Sequence, residues 1–284
     1  MFDWEMYRYI PSLTGPIVSI IIFSILAALH LWQLLNTKKK IIVWIVVGAI
    51  CEVVGYAARI GSHHDNTSWA PFIVQGVFIL IGPLFIAATI YMMLGRTIRV
   101  AGGEDVSIIK PSWCTRIFVC ADVSTLIIQV TGSSIMGSMK LNLAIAGEKI
   151  VIAGLALQVA TFVVFIIVAV DFHIRMNKRT KTHTSTVPVS SKWRRMLWIL
   201  YSVSSLVLTR CIFRLIEYAM GNASYLIAHE WTLYVFDTSL MVSALILLLI
   251  LQPTKYVPQE NQKLGSSSTE ETAMAQNKED YSRS

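Results

Sequence analysis

Apolar residues fall along this chain in long runs separated by short polar stretches. The runs cover 16–36, 41–60, 72–94, 115–137, 148–170, 196–219 and 231–251. A hydrocarbon layer about 30 Å thick takes roughly 20 apolar residues in a helix rising about 1.5 Å per residue. Each run therefore predicts one membrane-crossing helix, and the chain reads as an all-α polytopic protein with seven spans. The fourth and sixth runs are the least continuous, which leaves six as the alternative count. After Leu251 the pattern stops. QPTKYVPQENQKLGSSSTEETAMAQNKEDYSRS has almost no aliphatic side chains to offset its ordering entropy. The expected organisation is an extracellular segment at 1–15, a seven-helix domain at 16–252 and a disordered cytoplasmic tail at 253–284.

The positions of Lys and Arg orient these spans, because short cytoplasmic loops carry the excess. Lys38, Lys39 and Lys40 follow the first run; Arg96, Arg99, Lys110 and Arg116 follow the third. The loop after the fifth holds Arg175, Lys178, Arg179, Lys181, Lys192, Arg194 and Arg195, beside the hydroxyl-rich THTSTVPVSS (182–191), whose hydroxyls are candidates for phosphorylation. The alternate loops are poor in cations, so the amino terminus is expected outside and the carboxyl terminus in the cytoplasm. No basic segment precedes the first run and no small-residue cleavage pattern follows it, so it reads as a retained span. The tripeptides Asn66-Thr67-Ser68 and Asn222-Ala223-Ser224 both fall in loops assigned outside, making Asn66 and Asn222 glycosylation candidates.

Composition agrees with this picture: 55% of residues are hydrophobic, 14% are charged and the mean hydropathy is +0.60. The net charge of +7 is accounted for by the loop asymmetry and calls for no nucleic-acid partner. Cys51, Cys114, Cys120 and Cys211 lie in or beside spans without CxxC spacing, so no disulfide framework is expected.

The candidate chemistry is the polarity retained inside the spans, since a charged side chain facing mid-bilayer lipid costs about 2.5 kcal/mol or more. Glu52 lies roughly 16 Å of helix rise into the second span, and Tyr56 and Arg59 continue its face outward. The third span brings Gln75 near its outer end and then Pro83, which should kink it. Asp122 and Gln129, seven apart, share a face of the fourth, and Gln158 sits near the middle of the fifth. Arg210, Arg214 and Glu217 form a stripe on the sixth; Glu230, Tyr234 and Asp237 form one on the seventh at spacings of four and three. Two readings follow. The charges pair with one another and fix helix order, or together they line a polar cavity open to the outer half. The glutamines can equally form interhelical hydrogen bonds worth about 1 kcal/mol each.

Several seven-span chemistries find no support. The seventh span lacks the lysine of a retinal Schiff base. His30, His173 and His229 stand alone, and His63 and His64 are expected in an outside loop, so neither intramembrane zinc hydrolysis nor paired haem ligation has its ligands. No GxxxxGK[ST] loop is present. LGRTIR (94–99) stands where a G-protein-coupled receptor has its acidic-Arg-aromatic triplet, and the NPxxY pattern is absent. The chain is expected to be no enzyme and to need no cofactor.

EVVGYAAR (52–59), QGVFILIGPLFIAATIYMMLGR (75–96), DVSTLIIQVTG (122–132), GLALQ (154–158), RCIFRLIEY (210–218) and EWTLYVFD (230–237) occur in that order. In this the chain resembles the fungal lipid-translocating exporter family, also called RTA-like, over roughly residues 10 to 252. The resemblance implies a plasma-membrane protein of a family linked to release of sphingoid long-chain bases, resistance to amphiphilic toxins, and porphyrin or haem traffic. Its recurring polar positions correspond to Glu52, Tyr56, Arg59, Gln75, Arg96, Asp122, Gln129, Gln158, Arg210, Arg214, Glu217, Glu230 and Asp237. One departure is Gly132-Ser133-Ser134, where family members often carry a longer glycine run, which puts the helix contact there in question. The implied function is transport or export of amphiphilic molecules, with membrane lipids and such a substrate as partners. The alternative is a membrane sensor that regulates lipid asymmetry or stress resistance indirectly. A cationic headgroup would pair with Glu52, Glu217 or Asp237, and Glu52 or Asp122 could instead relay protons.

Overall fold

The computed structural model describes residues 13–64, 69–103, 105, 111–136, 141–182, 192–220 and 230–251. Within them the chain forms α1 (Thr14–Thr37), α2 (Lys40–His64), α3 (Trp69–Val100), α4 (Pro111–Met136), α5 (Leu141–Thr182), α6 (Lys192–Ala219) and a seventh helix, α7, over 230–251. All seven are long and apolar enough to cross a membrane, and there is no strand among the described residues. This is a multi-pass membrane protein. Large apolar side chains such as Ile21, Trp32, Leu35, Ile127, Ile167 and Ile250 face outward, the arrangement a lipid solvent rewards and water would not. The amino-terminal segment 1–12, the tail from residue 252, Asn66, Asn222 and the segment 183–191 lie outside the described residues.

The helices outlast their apolar runs, because backbone hydrogen bonding continues after the side chains turn polar. α5 has 42 residues, about 63 Å at the helical rise, so the run 148–170 is only its apolar middle. α2 extends to His64. His63 and His64 therefore occupy its last turn and not the loop expected for them. α3 remains helical on both sides of Pro83. Between α1 and α2 the chain reverses at Lys38, which takes the left-handed conformation (φ 51°) and donates its N–H to the Leu34 carbonyl at 2.7 Å. This capping bond satisfies one of the orphan carbonyls at the end of α1.

α3 is the hub, packed on α2, α4 and α6, while α7 rests against α6 and α1. Two helix crossings are close because glycines allow it. A Cβ on Gly82 of α3 would stand 2.6 Å from the Glu52 carboxyl oxygen on α2, and one on Gly147 of α5 would stand 2.5 Å from the Met136 backbone nitrogen and 2.6 Å from the Gly132 carbonyl of α4. The contact at Gly132 is thus backbone against backbone despite the shortened glycine run, since α5 supplies the second glycine.

α7 is not a uniform α-helix. Glu230–Leu233 is α-helical, Tyr234–Thr238 is a π-helical turn and Ser239–Leu251 is α-helical again. The Ser239 N–H reaches the Tyr234 carbonyl across the wider turn. Such an inserted turn rotates everything after it relative to the α-helical spacing read from sequence, and it carries Asp237 and Thr238 into the bundle, where both are buried.

Candidate functional site

At the half of the bundle where α2 ends and α3 begins, charged side chains converge from three helices. Asp237 of α7 is 2% exposed and accepts from two arginines of α6. Arg210 pairs through Nε with Oδ1, and Arg214 Nη2 donates to Oδ2 at 2.7 Å. Arg210 also donates to the Ile79 carbonyl of α3 at 3.0 Å. Arg214 Nη1 donates to Glu217, one turn away, at 3.1 Å. Arg210 and Arg214 are four residues apart, so one helix face presents both guanidiniums to a single carboxylate. Two cations and two anions balance, which is the condition for burying charge in a low-dielectric interior.

Glu52 approaches this cluster from α2 and is 1% exposed. Its carboxyl lies against Gly82; it makes no ion pair among the described residues, and its Oε1 has no hydrogen-bond partner. One turn on, the Tyr56 hydroxyl meets the Thr238 hydroxyl at 2.5 Å, and its ring stacks on Phe23 and Tyr234. Arg59, also buried, sets its guanidinium 6.0 Å above the Tyr234 ring. The second span thus supplies a continuous polar face, as its spacing predicted, but its partners lie on α7 and α3. Glu52 is not paired with Arg210 or Arg214, because Asp237 holds both.

Beside the cluster a cavity of about 150 Å³ is enclosed by α3, α4, α5, α6 and α7. Gln75, Gln129, Ser133, Ser134, Arg214 and Tyr218 give its lining polar groups, interspersed with apolar side chains that include Ile79, Leu80, Val151, Leu155 and Leu233. Gly76 and Ser134 are exposed members of the lining, so the cavity reaches the bundle surface between α3 and α4. Gln129 is held by a 2.8 Å bond from its Nε2 to Gln158 Oε1, so the glutamine of α5 braces the wall without forming it. Glu230 begins α7 at the same end.

Asp122 is the exception. It sits about 10 Å of helix rise from Gln129 and accepts from the Tyr91 hydroxyl of α3 at 2.6 Å, beside the rings of Phe118, Phe162 and Phe165, which pack on Tyr91. It is absent from the cavity lining. The sequence-predicted residues therefore separate into a cavity wall (Gln75, Gln129, Arg214), a charged cluster behind it (Glu52, Arg210, Glu217, Asp237), an aromatic-cation layer (Tyr56, Arg59) and the separate Asp122–Tyr91 pair. Thr238, Tyr91, Gly82 and Tyr218 were missed. A tyrosine hydroxyl inside a span is itself a polar group that needs a partner, and that signal was present for Tyr91; nothing in the sequence marked Gly82.

The chain is 31% identical over 259 residues to Protein RTA1 of Saccharomyces cerevisiae, covering 82% of this chain and 80% of that one. It is 29% identical over 279 residues to Protoporphyrin uptake protein 1 of the same organism (85% and 89% covered). It is 27% identical over 275 residues to the Sphingoid long-chain base transporter RSB1 of Saccharomyces cerevisiae (86% and 72% covered). No solved structure matches the chain. A family model described as RTA1 like protein matches residues 45–260, a stretch that contains the cavity and the whole charged cluster, and the chain belongs to that RTA1-like family.

Proposed function

We propose that this protein moves amphiphilic molecules across the plasma membrane, with the cavity between α3 and α4 receiving the headgroup. The observation that carries this reading is the mixed lining, in which amide, hydroxyl and guanidinium groups stand among aliphatic side chains. Its volume of about 150 Å³ is below the roughly 300–1,000 Å³ of sites that enclose a drug-sized ligand. It suits a headgroup whose tail leaves between the helices toward lipid. The names of two relatives, a sphingoid long-chain base transporter and a protoporphyrin uptake protein, support amphiphiles as the substrate class. Gln75, Gln129, Arg214 and Tyr218 are the proposed headgroup contacts. Direct pairing of a cationic headgroup with Asp237 or Glu217 requires Arg210 or Arg214 to release them first.

Purified protein in liposomes, supplied with a labelled sphingoid base and separately with a porphyrin, tests the proposal. Transbilayer movement above protein-free liposomes is the expected result. Gly76→Phe places its ring at the cavity mouth, where a Cβ meets nothing within 4 Å, and should abolish movement while the protein still folds. Binding of either amphiphile without movement would assign the sensor role instead.

A further inference from the structure

We propose that Glu52 is a proton-binding site, and that its proton couples the cavity to the transmembrane proton gradient. The coupling rests on the transporter reading above; the proton site itself does not. Glu52 sits in a slot on α3 that only a glycine leaves open, with its Oε1 buried and unpartnered. The groups that face it are few. From α6 come Arg210 and Arg214, and from α7 comes Asp237; its own helix contributes Tyr56 and Cys51. α1 contains no charged residue, and α3 meets it with the backbone of Gly82.

The two arginines are committed to Asp237, Glu217 and the Ile79 carbonyl. An ionised Glu52 would therefore be a further buried carboxylate beside two guanidiniums that already have their partners, with no contact of its own to either. A buried carboxylate in that position is costly enough that the group takes up a proton instead. Loss of the proton to solvent converts the carboxylic acid to a carboxylate beside Arg210 and Arg214. That carboxylate then competes with Asp237 for them, loosening the tie between α6 and α7. Arg214 belongs to that tie and also lines the cavity, so the protonation state of Glu52 reaches the cavity wall.

Two measurements on the full-length protein test this separately. Infrared difference spectra of purified wild type against Glu52→Gln should show a carboxylic-acid carbonyl band at neutral pH that the variant lacks and that fades as pH is raised. Spectra with no such difference would overturn the proton site whether or not the protein transports. In liposomes, an imposed gradient of about one pH unit should raise wild-type accumulation of the labelled amphiphile by up to about tenfold, beyond the change in protein-free vesicles. In Glu52→Gln the ratio of gradient-driven to symmetric-pH transport should fall to one, whatever its absolute rate. A wild type that transports equally with and without the gradient overturns the coupling. A wild type that shows the Glu52 band but moves no amphiphile overturns the transport reading, and the coupling with it, while leaving the proton site standing.

Discussion

Asp237 and Glu52 are both carboxyls buried near the same arginines, yet they occupy opposite chemical situations. Asp237 accepts from two guanidiniums, while Glu52 has an oxygen with no partner. The difference is geometric: the π turn of α7 brings Asp237 onto the arginine face of α6, whereas Glu52 reaches the cluster from α2 and stops against Gly82. Removing the shared acceptor strands two buried cations, a change that typically costs about 3–5 kcal/mol. Asp237→Asn should therefore lower the thermal midpoint of the detergent-solubilised protein by several degrees. Glu217→Gln, which loses one bond from a side chain nearer the surface, should lower it far less. Equal midpoints for the two variants would refute the central role of Asp237. That Arg210, Arg214 and Asp237 meet was legible as a class of event, since charges in spans must find partners. Which acid the arginines choose was not, because the choice depends on the relative rotation of helices distant in sequence.

Among the elements, α4 and α5 cross closely at Gly132 and Gly147, where any side-chain carbon would meet backbone. Backbone cannot swing aside as a side-chain tip can, so the helices must separate; overpacking of this kind costs roughly 1–3 kcal/mol. Gly147→Ala should reduce the yield of monodisperse protein and its thermal midpoint, while Gly76→Ala, added into open space, should leave both unchanged. Comparing the two variants by size-exclusion chromatography checks this. The crossing also sets the cavity, because Val151, Ser133 and Gln129 belong to these two helices and line it. At this scale the apolar runs located each of the seven helices among the described residues, but the ends were displaced outward, as at His63 and His64, since helical hydrogen bonding does not stop where hydrophobicity does. The π turn was not legible: nothing in YVFDT separates it from an α-helical segment until its side chains find partners on α2 and α6.

For the whole molecule, the charge asymmetry of the loops argues for an amino terminus outside and a carboxyl terminus in the cytoplasm. In sealed right-side-out vesicles, a tag appended after Ser284 should be protected from protease and one before Met1 should be cleaved. The opposite pattern would reverse the assignment and place the cavity on the cytoplasmic half. While the structure decided for seven spans over six, membrane character, the order of the spans and the polar positions within them were determined by the sequence. Each follows from local transfer free energy: whether a stretch of about 20 residues prefers hydrocarbon to water is a property of that stretch alone. Only the tertiary structure decided that Asp122 pairs with Tyr91 away from the cavity, that Gln129 is braced by Gln158, and that Asp237 takes both arginines while Glu52 takes neither. Those outcomes depend on how α3 meets α2, α4 and α6, and that packing is settled by side-chain fit between helices far apart in the chain.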